Sequence, residues 1–211
     1  MHSRPLNPLR AGNSAAALVL LALLAACAGQ PTGSTGNPDW PDHRQQIEQL
    51  QHWNASGKAA LRRDGTVDTA SLLWRQREGH SELRLTGPLG AGATTLRAQG
   101  SLLSIDANGE HSVIDLAQNP GQLAAETGWD LPIDALPYWL RGIPAPDAAD
   151  PLVETDPQRG YALRIVQGSW TIDYARYATF EGYHLPTRIT LANGSQKLTV
   201  LLRNWQVDGL P

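Results

Sequence analysis

The sequence predicts a mainly β chain built around one continuous antiparallel sheet of about ten strands, with two or three helical pieces able to cover its concave side. Three observations predict it. Apolar and polar residues alternate with period two in stretches from Asn54 to Val207. These stretches are separated by Asp64-Gly65, Glu78-Gly79, Asn108-Gly109 and Asn193-Gly194, the dipeptides of tight hairpins, rather than by helices. The pattern breaks once, over residues 119–141, where helical segments fit.

In chain order, residues 42–53 (DHRQQIEQLQHW) predict a short helix with Ile47, Leu50 and Trp53 on one side and Pro41 near its start. Strands follow at NASGKAALRRD, TVDTASLLWRQ and HSELRLT. GATTLRAQ, SLLSID and EHSVID continue the meander. GQLAAETGW and residues 134–141 predict helices, the second with Pro137 in its first turns. The loop IPAPDAADP then leads to strands YALRIVQ, WTIDYARY, LPTRITLAN and SQKLTVLLRNWQV. In the last, Leu198, Val200 and Leu202 alternate with Lys197, Thr199 and Leu201, so one face is apolar. A sheet this wide tends to curl or close. No repeat and no second core are visible, so residues 41–211 read as one domain.

Within the first 26 residues, residues 1–14 carry Arg4, Arg10 and no acid, and an apolar run follows from Ala15 to Ala26. Twelve apolar residues fall short of the roughly 20 that span a bilayer, so the segment reads as a cleaved secretory signal. It ends in Leu24-Ala25-Ala26-Cys27, which resembles a bacterial lipobox, and Cys27 is the only cysteine of the 211 residues. Cleavage before an acylated Cys27 leaves 185 residues with a formal charge of −5. Several acyl chains on one cysteine anchor almost permanently. Ala28 after the cysteine, by resemblance to enterobacterial sorting signals, favours the outer membrane. Residues 27–40, rich in Gly, Ser, Thr and Pro, read as a flexible tether.

Charge and motifs exclude several functions. Without a basic excess the chain is not a nucleic-acid binder. The run from Gly90 has Thr95 where a dinucleotide fingerprint needs glycine, and Gly57-Lys58 lacks the earlier glycine of a phosphate loop. No nucleophile elbow occurs. His43, His52, His80, His111 and His184 lack metal-ligand spacing and read as surface histidines. No cofactor, no metal and no enzymatic activity are expected.

Three stretches carry a resemblance. They are Leu85-Thr86-Gly87-Pro88-Leu89-Gly90; Gly128-Trp129-Asp130-Leu131-Pro132 with Tyr138-Trp139-Leu140-Arg141-Gly142-Ile143-Pro144-Ala145-Pro146; and Gly168-Ser169-Trp170 with Tyr174, Leu185-Pro186 and Trp205. In this order behind a lipobox they resemble the LolB family, over roughly residues 40–207. Ser169 splits a Gly-Trp pair commonly adjacent in relatives. The resemblance implies a half-open antiparallel barrel of about ten or eleven strands with short helices over its concave apolar face. It also implies an outer-membrane receptor that takes acylated lipoproteins from a soluble periplasmic, LolA-like carrier and inserts them among outer-membrane lipids, as a monomer facing the periplasm.

The resemblance makes Pro88, Leu89 and Gly90 the membrane-insertion loop, although a loop leucine also folds back into many cores. Leu83, Leu85, Leu96, Leu198 and Val200 are candidates for the concave face. Trp74, Trp129, Trp139 and Trp170 are core or cavity lining, and Tyr138, Leu140 and Ile143 could form part of a lid. Arg141 is expected to stabilise the end of its helix. Two other readings stay open: a structural lipoprotein subunit of an envelope complex whose apolar face is covered by a partner, and a periplasm-facing hydrolase.

Overall fold

The computed structural model describes residues 39–90, 92–119, 121–146 and 150–207. The signal segment, Cys27 and the tether up to residue 38 lie outside the described residues. The described chain starts at Asp39, whose carboxylate accepts from the Asp42 amide at 3.0 Å and caps helix α1 (Trp40–Glu48). Trp40 therefore belongs to the fold.

Eleven strands follow among the described residues: β1 (His52–Arg63), β2 (Thr66–Arg77), β3 (His80–Thr86), β4 (Ala93–Gln99), β5 (Leu102–Ala107), β6 (Glu110–Asp115), β7 (Leu152–Thr155), β8 (Ala162–Gln167), β9 (Trp170–Phe180), β10 (Tyr183–Ala192) and β11 (Gln196–Val207). Helices α2 (Gln122–Thr127) and α3 (Leu136–Arg141) lie between β6 and β7. One sheet contains every strand, ordered β6-β5-β4-β3-β2-β1-β11-β10-β9-β8-β7, and each pairing is antiparallel. The sheet stays open, with β6 and β7 as its edges. All these pairings, and the core beneath them, fall within residues 39–207, so this part has the full packing of an independent fold.

The hairpin dipeptides do the work expected of them. Asp64-Gly65 has φ of 46° and 79°, the left-handed pair of a type I′ turn, and Asn108-Gly109 repeats it at 54° and 85°. Gly57 has a different task. A Cβ there would lie 1.8 Å from the Leu201 carbonyl oxygen, because a bulge between Ser56 and Gly57 shifts the register and brings β11 close.

Three expectations need correction. The first helix ends at Glu48, not at residue 53, because His52 and Trp53 pair with Arg77 and Gln76 on one side and Trp53 with Val207 on the other. The short strand β7 falls where no strand was expected; its four residues pair only with β8. His43 is not a surface histidine. It is 5% exposed, against Trp40 and Tyr161, and its Nε2 has no hydrogen-bond partner among the described residues.

Burial, reinforced by the charge of His184, lowers the His43 pKa to about 4. Its unfolded pKa is about 6.5. Between those values the unfolded chain binds a proton that the native state refuses, so stability falls as pH drops through that window. We expect a loss of about 2 kcal/mol between pH 7 and pH 5 from this residue. Urea denaturation at the two pH values measures it, and His43→Phe should flatten the difference.

Candidate functional site

The buried sheet face is lined by alternating residues of each strand: Trp53, Ala55 and Leu61 on β1, Leu72 and Trp74 on β2, Leu83 on β3, Leu96 on β4, Leu103 and Ile105 on β5. On the far side Leu191, Ile189, Ile172 and Ile165 complete it. Helices α2 and α3 and the segment between them cover this face. Beneath the cover lies an enclosed apolar space of about 40 Å³. Leu83, Leu85, Leu96, Leu198 and Val200 line it from the sheet, and Trp129, Leu131 and Leu140 from the cover. A water there would lack the two to four polar partners that hold buried water.

A second cavity, of about 240 Å³, adjoins it and opens outward. Ala59, Leu85, Trp129, Leu131 and Leu198 line both, so Trp129 and Leu131 sit where the two meet. The opening exists because β1 and β2 outrun β3. Pairing of β2 with β3 begins only at Ser71 and Thr86, leaving residues 66–70 of β2 without a strand on that side. Gly87 and Gly92 line the gap, and Asp68 stands at its rim.

Gly87 and Gly92, which line this gap, flank the turn Pro88–Gly90, whose own residues line a groove on the opposite face of the sheet. Leu89 is fully exposed at 107% of the reference area and adopts φ 57°, ψ 20°. A left-handed conformation suits glycine and costs a leucine on the order of 1 kcal/mol. The chain thus spends stability to hold an apolar side chain in solvent, on a turn whose flanking glycines line an apolar cavity.

The two helices of the cover are held very differently. Arg141 donates to the carbonyls of Pro137 at 3.0 Å, Ile47 at 2.9 Å and Leu50 at 2.7 Å, tying α3 to the end of α1. Burial lowers its pKa to about 10, offset by Tyr138 and Glu48, so it stays charged near neutrality. Gln167 accepts from Trp139 Nε1 at 2.9 Å and exchanges two hydrogen bonds with Ala145. The Tyr174 hydroxyl donates to the Trp139 carbonyl at 2.8 Å, and burial raises its pKa well above the usual value. Helix α2 buries only Leu123. Among the described residues, the side-chain hydrogen bonds that tie it outward are the Arg63 guanidinium on the Gly128 carbonyl at 2.5 Å and an exposed Ser112–Glu126 hydrogen bond at 2.7 Å.

Of the residues singled out from the sequence, Trp74, Leu83, Leu85, Leu96, Trp129, Leu140, Leu198 and Val200 come together around the enclosed space. Four do not. Trp139 packs on Trp170 with ring centroids 5.9 Å apart, and Ile143 is fully buried in the core. Tyr138 stacks under Arg141 at 5.2 Å and lines a separate, partly polar cleft beside α1. The reason is the polar handle: the Trp139 indole follows Gln167 on β8 and points away from the cavity. Sequence reasoning did not name Ala59, Leu61, Leu72, Leu131, Ile133 or Leu136 among the cavity residues. Ala59 and Leu61 continue the alternation of β1 and were legible there; Leu131 lies in the Gly128–Pro132 stretch that carries the resemblance, but that segment has no periodicity to show which way the side chain turns.

Among the described residues no group of three His, Cys, Asp or Glu side chains could hold a metal ion. No helix among them is long and apolar enough to cross a membrane.

The model of the family described as "Outer membrane lipoprotein LolB" matches residues 51–205. The chain is 35% identical to the outer-membrane lipoprotein LolB of Pseudomonas aeruginosa (strain LESB58), covering 88% of this chain and 92% of that protein. It is 37% identical to the LolB of Ectopseudomonas mendocina (strain ymp), over 89% and 93%. The fold is shared with a LolA superfamily protein from Nitrosomonas europaea, at 11% identity and a TM-score of 0.52, over 82% of this chain and 96% of that one. With a half-barrel sheet, an apolar cavity under a helical cover and sequence identity along nearly the whole chain, this protein belongs to the LolB family of outer-membrane lipoproteins, receptors in lipoprotein localisation and not enzymes.

Proposed function

We propose that the chain is anchored through acylated Cys27 in the periplasmic leaflet of the outer membrane. There it takes the acyl chains of lipoproteins from a soluble LolA-like carrier into the cavity under α2 and α3, and releases them into the membrane beside Leu89. The observation that carries this reading is an apolar cavity whose opening is lined by Gly87 and Gly92, the two glycines on either side of a turn that bears a fully exposed leucine. An exposed fatty chain costs roughly 0.8 kcal/mol per methylene in water, so cargo must pass from one apolar shelter to another.

Neither the enclosed space nor the outer cavity is large enough for that cargo as it stands. A dry cavity of about 150 Å³ accepts one benzene ring, so 240 Å³ shelters on the order of ten carbons. Room comes from displacing α2 with Trp129 and Leu131. Breaking the Arg63–Gly128 tie costs about 1.5–3 kcal/mol and the exposed Ser112–Glu126 bond about 1 kcal/mol or less. Acyl-chain burial exceeds this within a few methylenes. Helix α3 stays fixed by Arg141, Gln167 and Tyr174 and forms the stationary half of the cover.

Transfer needs no nucleotide, because direction follows from differential affinity: receptor over carrier, and membrane over receptor. The test mixes residues 28–211, lacking Cys27, with acylated lipoprotein loaded on its carrier. Cargo should move to the domain in buffer and onward to added vesicles. Cargo that remains on the carrier contradicts the reading and favours a structural lipoprotein.

A further inference from the structure

The outer face of the sheet, opposite the cavity, divides into two electrostatically different halves. Across β2 to β6 the charges alternate: Arg75 meets Glu82 at 2.8 Å, Glu82 meets Arg97 at 3.0 Å, Arg97 meets Asp106 at 2.5 Å, and Asp106 meets His111 at 2.7 Å. The other half holds one such pair, Arg164 with Asp173 at 2.6 Å on β8 and β9, and is otherwise cationic. Arg62 on β1 lies directly opposite Lys197 on β11, and Arg188 on β10 directly opposite Arg176 on β9. Lys58 shares a row with Leu201 and Arg188. Among the described residues none of Lys58, Arg62, Arg176, Arg188 and Lys197 has an ion-pair partner. Like charges directly opposite across strands are destabilising. A chain with a mature charge of −5 keeps two such pairs on one face, which points to an anionic partner.

A groove of about 550 Å³ runs along this face beneath the Leu89 turn. Lys58 lines it together with Thr69, Ser71, Thr86 and Thr199. These four hydroxyls make no hydrogen bond among the described residues, and each can donate one. Leu89 and Leu201 supply the apolar part of the lining. Lys58 therefore reaches the same space as Leu89, and Arg62 and Lys197 stand at the same end of the sheet, next to the β1–β2 and β10–β11 turns.

We infer that this groove and its cationic rim bind the phosphate headgroups of anionic phospholipids in the membrane into which Leu89 dips. The ammonium and hydroxyl groups recognise the phosphate, and Leu89 and Leu201 meet the start of the acyl region. This rests on the reading of Leu89 as the membrane-contacting tip and adds to it a preference for lipid charge.

The test is flotation of residues 28–211 with vesicles of phosphatidylethanolamine alone or mixed with phosphatidylglycerol. Each Lys or Arg at an anionic surface contributes roughly fivefold in partitioning, so three contribute on the order of a hundredfold, and less at high salt. Lys58→Gln, Arg62→Gln and Lys197→Gln combined should abolish the preference for phosphatidylglycerol vesicles without loss of thermal stability, since a like-charge pair is relieved. The same neutralisation at Arg44, Arg159 and Arg164, away from the groove, should leave the preference in place. Leu89→Glu should weaken binding to both vesicle types.

The inference is overturned if the groove variant keeps its preference, or if the control variant loses it equally. It is also overturned if the groove variant keeps vesicle binding but no longer receives cargo, which would make the face a docking site for an acidic protein. Should Leu89→Glu bind both vesicles normally while the groove variant loses its preference, the groove stands and the role of Leu89 falls.

Discussion

Leu89→Glu leaves the domain folded and able to take cargo from the carrier, and cuts delivery into vesicles by about a hundredfold or more. The fold is spared because the Leu89 side chain is wholly in solvent, so nothing in the core depends on it. Delivery fails for two additive reasons. Burying a leucine in the acyl region is worth about 1.5–3 kcal/mol, and that is lost. A carboxylate must then be brought against the membrane at a further cost in desolvation. Leu89→Gly separates these contributions. It relieves a left-handed backbone at φ 57° and should raise stability by on the order of 1 kcal/mol, while still impairing delivery. Thermal denaturation with cargo transfer to vesicles measures both effects. Normal delivery by the glutamate variant contradicts the role assigned to the turn.

Ala59→Phe closes the receptor from the inside. Ala59 lines both the outer cavity and the enclosed space, facing Leu198 and Trp129. A benzyl group placed there fills volume that the acyl chain would enter, and contacts Trp129 and Leu131 in the position they now occupy. Overpacking usually costs 1–3 kcal/mol, but an adjoining void absorbs much of it, so the protein stays folded. Uptake of cargo from the carrier should fall at least tenfold, because the bound chain now has to expel the ring. Undiminished uptake by the folded variant means that cargo lies elsewhere.

Much of the architecture was readable because the decisive signals are local. Asp64-Gly65 and Asn108-Gly109 set two hairpins through left-handed φ values that an Asp-Gly or Asn-Gly pair tolerates, and the alternation of Leu198, Val200 and Leu202 names the buried face of β11 correctly. What escaped was decided at a distance. Trp53 continues the helical spacing of Ile47 and Leu50, yet partners on both flanking strands draw it into β1. The LVET of β7 is four residues long and stands only through β8. His43 looks like any polar helix residue until Tyr161, more than a hundred positions away, covers it.

The cavity was legible in part for the same reason. Leu83, Leu85 and Leu96 share a face by strand parity alone. The covering aromatics carry no such rule. Trp129 turns toward the cavity, whereas Trp139, ten residues on, turns toward Gln167 because its indole N–H needs an acceptor when buried. The cationic pairs of the outer face depend on which residue of β11 lies opposite Arg62, a register that a single chain of letters does not display.

Leu85 and Arg84 are neighbours on β3 that face opposite sides of the sheet, the first lining both cavities and the second exposed. A photo-crosslinking amino acid placed at each in turn, with acylated lipoprotein supplied on its carrier and no membrane present, tests whether fatty chains lie under the helical cover. Crosslinks to acylated cargo at position 85 and none at position 84, with neither reacting with unacylated cargo, are the predicted result. Equal labelling at both positions, or labelling at 84 alone, would contradict it.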